Sequence, residues 1–259
     1  MVTLIDGKKL AAELKAQLHL VTPQGGLGVI VVGNDPASAI YIEHKQKLAL
    51  ELHIPFKKLT INEDTDLVSA KTQINQFVND PELAGIILQL PLPPQFPVDE
   101  LLNLIPRSKD VDGLLPGSPF VSATARAVMH AIQSTGQELT GKHAVLVGYS
   151  RLLGKALVDL LINAKCTVSI THIHTQDLAS ITRQGDIVVS AVGKPDLIRG
   201  DMIKDGCIAI DVGITRTEQG IKGDINFAEA SKKAAYITPV PGGIGPLTVL
   251  FLMANTLGK

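Results

Sequence analysis

Apolar positions along the first half of the chain alternate between two rhythms. Leu10, Leu14, Leu18 and Val21 recur at the spacing of one helix face. The continuous run LGVIVVG at 27–33 then reads as a strand buried on both faces, ended by Gly33-Asn34-Asp35-Pro36. A helix is expected from about Ser38, a favourable N-cap, to Leu52. IPFKKLTI reads as a second strand, and Leu67 to Val78 as a helix with Ile74, Phe77 and Val78 on its apolar face. The stretch AGIILQLPLPP at 84–94 is a third strand, stopped by prolines. Strands that alternate with helices predict a parallel sheet covered by helices.

Between Pro106 and Ala123 the rhythm lapses into PRSKDVDGLLPGSPFVSA, rich in Gly, Pro, Ser and Asp, and a domain boundary is placed there. The second half resumes with strands expected at 144–147, 166–171, 186–191 and 207–212, and a short one near 236–238. Such a series reads as a doubly wound, Rossmann-like nucleotide-binding fold, whose ligand lies beyond the carboxyl ends of the strands. The fold class is therefore α/β, with an N-terminal α/β domain at 1–118, a nucleotide-binding domain at 119–245 and a cleft between them. The apolar segment GPLTVLFLMANTL predicts a final helix, about 246–259, that packs back on the first domain.

Composition narrows the function classes. The chain has 259 residues, 45% of them hydrophobic and 19% charged, which suits a well-packed globule and not a disordered chain. A net charge of −1 with 3% aromatic residues supplies neither the basic stripe nor the stacking rings of a nucleic-acid binder. The opening MVTLIDGKKLAAELK has no apolar signal core, and no apolar run approaches the roughly 20 residues of a membrane helix. Cys166 and Cys207 lie in apolar runs with no Cys or His at metal spacing, so buried reduced thiols, a cytoplasmic location and no metal site are expected.

Residues 143–161, HAVLVGYSRLLGKALVDLL, join a buried strand to a helix through Gly148-x-Ser150-x-x-x-Gly154. This spacing differs from the usual GxGxxG, but its parts suit a diphosphate. Gly148 lets the backbone approach the ligand, Ser150 can cap the helix or meet a phosphate, and Gly154 lets the helix lie close to the sheet. The second strand ends in SITHIHT (169–175), which holds neither the acid typical of NAD sites nor the arginine typical of NADP sites. Cofactor choice stays open at that position.

Four further stretches carry candidate chemistry. AIYIEHKQK sets Tyr41 and Lys45 four apart on one helix face, where a desolvated lysine beside a phenol could move protons. Gln89 sits late in a buried strand and must find polar partners, either structural or catalytic. KDVDG at 109–113 is an Asp-Gly turn with two carboxylates in the linker. TPVPGGIGPLT at 238–248 packs three prolines and three glycines into eleven residues, a stiff loop of the kind shaped around a ligand.

VGNDPASAIYIEHKQKLALELHI, GIILQLPLP, KDVDG, DIVVSAVGKP, IDVGI and TPVPGGIGPLT occur here in one order. In that order they resemble the bifunctional methylenetetrahydrofolate dehydrogenase/methenyltetrahydrofolate cyclohydrolase family of one-carbon metabolism, over essentially the whole chain. The resemblance implies Lys45 as the catalytic base or acid, Tyr41 as its partner, Gln89 as the amide that tunes it, and Asp112 as the pterin contact. Leu90, Pro239, Gly242 and Gly243 would line the folate. Gly148, Tyr149, Ser150, Ile173, Ile214 and Thr124 would line NADP, or NAD. The implied enzyme oxidises the methylene bridge to the methenyl cation, hydrolyses that cation to 10-formyltetrahydrofolate, and works as a homodimer on tetrahydrofolate derivatives.

Four positions depart from the family pattern. The usual FHPxNxGxL stretch after KDVDG is replaced by the shorter LLPGSPFVS, and PCTP by Ser122-Ala123-Thr124-Ala125, which keeps only Thr124. Tyr149 stands where many members have arginine, and Ile173 where a serine or arginine often meets the ribose phosphate. Two alternatives therefore stand beside the bifunctional enzyme: a cyclohydrolase with impaired nucleotide binding, and a non-catalytic folate-binding paralogue.

Overall fold

A computed structural model describes residues 2–150, 153–218 and 220–259, and these divide into two compact units. One contains Leu14–Ala123 and Val249–Lys259; the other contains the chain up to Glu13 and Thr124–Thr248.

The first unit is built on a three-stranded parallel sheet in the order Phe56–Ile61, Gly26–Val32, Leu83–Leu88. Its central strand is buried at every position, as a run of Val, Ile and Leu without a charge requires. The helix after it spans Pro36–Glu51 and is capped by Asp35, not by Ser38. The Asp35 carboxylate accepts the Ser38 N–H at 2.8 Å and the Ser38 hydroxyl at 2.7 Å, and Pro36 occupies the first turn, where no N–H is needed. The Leu67–Val78 helix is capped by Asp66 and buries Ala70, Ile74 and Val78; Phe77 packs partly buried against the same core. Each fully buried Ile or Leu here is worth about 1.5–3 kcal/mol, before chain entropy is counted.

The second unit holds a six-stranded, all-parallel sheet. The order is Thr3–Leu4, Tyr236–Ile237, Ile208–Asp211, Ile187–Ser190, His143–Val147, Thr167–Thr171. The chain reverses direction across the sheet at His143–Val147, whose successor lies on one side and Ile187–Ser190 on the other. That is the topological switch point where doubly wound sheets bind ligands. The two-residue strand Thr3–Leu4 and the hairpin Thr215–Thr217/Gly220–Lys222 were not foreseen from the sequence pattern. The first helix runs Gly7–Leu18, stopping short of Val21, and the last runs Ile244–Thr256, starting two residues before its expected position. That last helix is apolar nearly all round and largely buried from Leu250 to Ala254. Among the described residues no helix is long and apolar enough to cross a membrane. Cys166 and Cys207 are free and buried.

Candidate active site

Three of the four proposed catalytic residues converge in the first unit. The Pro36–Glu51 helix leaves the carboxyl end of the central strand and carries Lys45 on its third turn. Gln89 directly follows Leu83–Leu88, and its backbone N–H still pairs with the Ile30 carbonyl at 2.9 Å, so its side chain is presented from a fixed point. The Lys45 ammonium donates to Gln89 Oε1 at 2.8 Å, and Gln89 Nε2 donates to the Leu90 carbonyl at 2.7 Å. Both ends of the amide are therefore spoken for, which fixes its orientation. Leu90 precedes a cis Pro91. Tyr41 lies one turn before Lys45 and is 37% exposed.

The electrostatics of this cluster are unusual for a helix lysine. Burial lowers the Lys45 ammonium from its ordinary value, and the charge of Asp112 opposes that shift. Burial raises the Asp112 carboxyl, against the pull of Lys45 and with the repulsion of Asp110 added. A lowered lysine is neutral more often than an ordinary one, and the neutral amine is the form that can accept a proton.

The two carboxylates of KDVDG divide their work. Asp110 is 1% exposed and accepts the Leu115 N–H at 2.8 Å, while Ser118 Oγ donates to its carbonyl at 3.1 Å, so it organises the shortened loop. Asp112 stays half-buried. Its neighbour Val111 is pinned by Asn255, whose Nδ2 donates to the carbonyls of Val111 at 2.7 Å and Val121 at 3.0 Å. Asn255 was missed in the sequence reading; the signal was one amide in an otherwise apolar helical run.

The nucleotide-lining candidates lie in the second unit. Gly148 ends His143–Val147 with φ +96°, and a Cβ there would stand 2.8 Å from the Ala191 carbonyl oxygen. Its N–H donates to Thr171 at 3.0 Å, which ties the fingerprint turn to the end of the second strand. Ser150 does not cap the helix. The cap position of Gly154–Asn163 is Leu153, and among the described residues no side chain caps the first turn, while the Gly154 N–H turns back to the Ser150 carbonyl at 2.8 Å. Gly154 also has a different reason from the expected one: a Cβ would stand 2.6 Å from the Tyr149 ring, so glycine makes room for tyrosine. Arg151 and Leu152, between Ser150 and Leu153, lie outside the described residues.

At the end of the second strand Ile173 is 93% exposed, within a turn closed by the His172 N–H on Thr175 Oγ1 at 2.8 Å. The nearest acid, Asp177, is committed to capping the next helix through the Ser180 N–H. Ile214 is exposed, and Thr124 is half-buried in the Ala123–Gln133 helix. The glycine cradle, the uncapped helix and the position at the switch point fit a dinucleotide diphosphate.

The loop Pro239–Gly243 belongs to this same unit. Thr238 Oγ1 accepts the Asp211 N–H at 2.7 Å, Gly242 has φ +104°, and a Cβ on Gly243 would stand 2.6 Å from the Pro239 carbonyl oxygen. From behind, the start of the Gly7–Leu18 helix presses so close that a Cβ on Gly7 would overlap the Gly243 carbonyl at 1.7 Å. Among the described residues no group of three or more His, Cys, Asp or Glu could hold a metal.

Comparison with known proteins gives a consistent result. Residues 5–112 match the family described as tetrahydrofolate dehydrogenase/cyclohydrolase, catalytic domain, and 122–259 match its NAD(P)-binding domain. The bifunctional protein FolD 2 of Geobacter sulfurreducens is 41% identical, over 99% of this chain and 96% of its own. The crystal structure of the bifunctional FolD enzyme from Campylobacter jejuni superposes with a TM-score of 0.96 at 40% identity, over 100% of this chain and 98% of that one. The Trypanosoma brucei FolD structure, complexed with NADP cofactor and an inhibitor, gives 0.92 at 33%, over 99% and 96%. With both halves matched and the folate and dinucleotide motifs in place, the chain belongs to the tetrahydrofolate dehydrogenase/cyclohydrolase family.

Proposed function

We infer that this chain oxidises 5,10-methylenetetrahydrofolate to the 5,10-methenyl cation with NADP, and hydrolyses the cation to 10-formyltetrahydrofolate. The observation that carries the reading is the buried Lys45 amine, lowered from its ordinary value and fixed at 2.8 Å by Gln89. A protein that only bound folate would have no use for an amine desolvated at such cost.

When bound, the dinucleotide accepts the hydride that leaves the methylene carbon. Gly148 admits its diphosphate, and the uncapped first turn of Gly154–Asn163 offers N–H donors to it. Tyr149, Ser150, Ile173, Ile214 and Thr124 are the remaining lining residues in this reading. The second strand is followed by no carboxylate free to accept a ribose 2′-hydroxyl, since Asp177 is engaged in its cap, and this favours NADP over NAD. Asp112 holds the pterin ring, with Tyr41, Leu90, Pro239, Gly242 and Gly243 around the folate.

In the hydrolytic step water adds to the methenyl carbon, and its proton passes to the Lys45 amine. The carbon–N5 bond then breaks, N5 takes the proton back from the Lys45 ammonium, and the remaining hydroxyl proton goes to solvent. Gln89 keeps Nζ aimed through both transfers, and orientation of this kind supplies much of the rate.

The working form in this reading is a cytoplasmic homodimer joined through the nucleotide-binding units. The edge strand Thr167–Thr171, with Ile170 43% exposed, and the preceding helix, with Ile162 55% exposed, form the kind of edge that proteins cover. Sedimentation of the purified protein reads the assembly directly.

The test of function is absorbance at the methenyl and reduced-nicotinamide bands, with methylenetetrahydrofolate and either NADP or NAD. NADP reduction followed by decay of the methenyl band is expected, and Lys45→Met should abolish the decay while folate still binds. No reduction with either nucleotide, while supplied methenyltetrahydrofolate is hydrolysed, would leave a cyclohydrolase alone.

A further inference from the structure

Two buried aspartates of the nucleotide-binding unit have no part in the scheme above. Asp224 is 0% exposed and Asp211 3%. Each presses on a glycine beside the other. A Cβ on Gly213 would stand 2.1 Å from Asp224 Oδ1, and one on Gly223 would stand 2.1 Å from Asp211 Oδ2.

Their partners are mostly backbone. Asp211 accepts the N–H groups of Gly213 at 2.9 Å, Asp224 at 3.0 Å and Ile225 at 2.7 Å. Asp224 accepts the Ser190 hydroxyl at 3.0 Å and the N–H groups of Val192 at 2.6 Å and Lys194 at 2.8 Å. Two acidic groups at this depth are costly, and burial pushes Asp211 up to about 7 against the pull of its backbone donors. Apolar side chains could fill the same space at less cost, but they could not hold N–H groups in place.

The segment they hold sits at the switch point. Residues 191–194 leave the carboxyl end of Ile187–Ser190, and the Ala191 carbonyl is the atom that a Cβ on Gly148 would strike. Gly193 offers its carbonyl to Thr215 Oγ1 at 3.0 Å. Segment 191–194 is thus tied at its N–H groups by Asp224 and at a carbonyl by Thr215, and it forms the wall opposite the fingerprint glycine.

We propose that Asp224, braced by Asp211, is a positioning residue for the dinucleotide: its carboxylate fixes segment 191–194 and so sets the crevice at Gly148. The inference rests on the dehydrogenase reading, and its consequence is selective. Loss of the carboxylate weakens dinucleotide binding and leaves the Lys45 chemistry of the other unit in place.

The experiment compares wild type with Asp224→Asn, which keeps the shape but turns an acceptor toward N–H groups into a donor. Calorimetry reads the NADP dissociation constant, steady-state assays read KM for NADP and for folate, and circular dichroism reads the fold. A tenfold or larger rise in the NADP constant is expected, while folate KM and hydrolysis of supplied methenyltetrahydrofolate change less than twofold. Thr215→Val, at a half-buried site, should give the same signature at two- to fivefold, and it decides the matter where Asp224→Asn does not fold. Unchanged NADP affinity in a folded variant overturns the inference, as does a parallel loss of hydrolysis, which would mean a general structural role. A wild-type protein that hydrolyses methenyltetrahydrofolate but binds no dinucleotide would overturn the dehydrogenase reading, and this inference with it.

Discussion

Gln89→Leu isolates what the amide does for the lysine. Leucine fits the half-buried site but removes the oxygen that accepts from Lys45 Nζ at 2.8 Å. A hydrogen bond to a charged group is worth about 1.5–3 kcal/mol, and here it favours the ammonium over the amine. Its loss raises the amine-to-ammonium ratio at a given pH roughly ten- to a hundredfold. The change adds to the effect of burial, which already lowers Lys45, and leaves Asp112 as the group opposing it. The limb of the hydrolysis pH profile that belongs to Lys45 therefore moves to lower pH. The plateau falls as well, because Nζ is no longer aimed, and a misplacement of an ångström can cost about a hundredfold. Gln89→Glu sets a carboxylate against the same ammonium and moves the limb to higher pH. The assay is decay of the methenyl band over a pH series, corrected for buffer hydrolysis. If both variants moved the limb the same way, or neither moved it, Gln89 would not govern the protonation of Lys45.

Other substitutions test the remaining parts. Asp112→Asn removes the charge that favours the Lys45 ammonium, so the same limb moves to lower pH, and folate KM rises roughly tenfold or more through the lost pterin bond; an unchanged KM would remove Asp112 from the folate site. Gly148→Ala adds about 1–2 kcal/mol of backbone strain at φ +96° and a contact with the Ala191 carbonyl, so calorimetry should show NADP affinity falling more than tenfold. Affinity within twofold of wild type would contradict the fingerprint. Asp211 has an ordinary value of 3.8 and a folded value of about 7, so across that window the folded chain holds a proton that the unfolded chain has released. Raising pH through the window therefore costs stability on its account, with no further loss above it. Urea midpoints of wild type relative to Asp211→Asn should fall over that range, and a flat difference would refute the assignment. Burial pushes the Cys207 thiol up to about 12 and raises Cys166 too, so a thiol reagent should label neither until the protein is denatured.

What could be read from the sequence follows from the range of the forces involved. Strands buried on both faces announce themselves as unbroken apolar runs, and 27–33 and 144–147 were placed within a residue or two. Helix starts were harder, because Asp35 and Ser38 are both good caps three residues apart. Pro36 was the deciding residue, since it suits the first turn. The strand Thr3–Leu4 is too short to show a period, and its partner is more than 200 residues away. Lys45 and Gln89 could be named one by one, but the hydrogen bond and the opposing charge that act on the amine come from residues 44 and 67 positions downstream, which meet it only in the fold. Gly154 was assigned to helix–sheet packing, and only the placed ring of Tyr149 supplies the actual reason. The Asp211–Asp224 pair gave no local signal, because a carboxylate's burial is a property of its surroundings.

The pairing of Thr3–Leu4 with Tyr236–Ile237 has a consequence for the timing of synthesis. Thr3–Leu4 is made well before its partner, since the strand it docks on emerges some 230 residues later. At roughly 5–20 residues per second on the ribosome, that leaves it waiting on the order of ten to fifty seconds. Meanwhile the three strands of the first unit, all complete by residue 88, can pair. The three-stranded sheet of the lysine-bearing unit can thus form early, while that unit's last helix and the pairing of Thr3–Leu4 with Tyr236–Ile237 both come late.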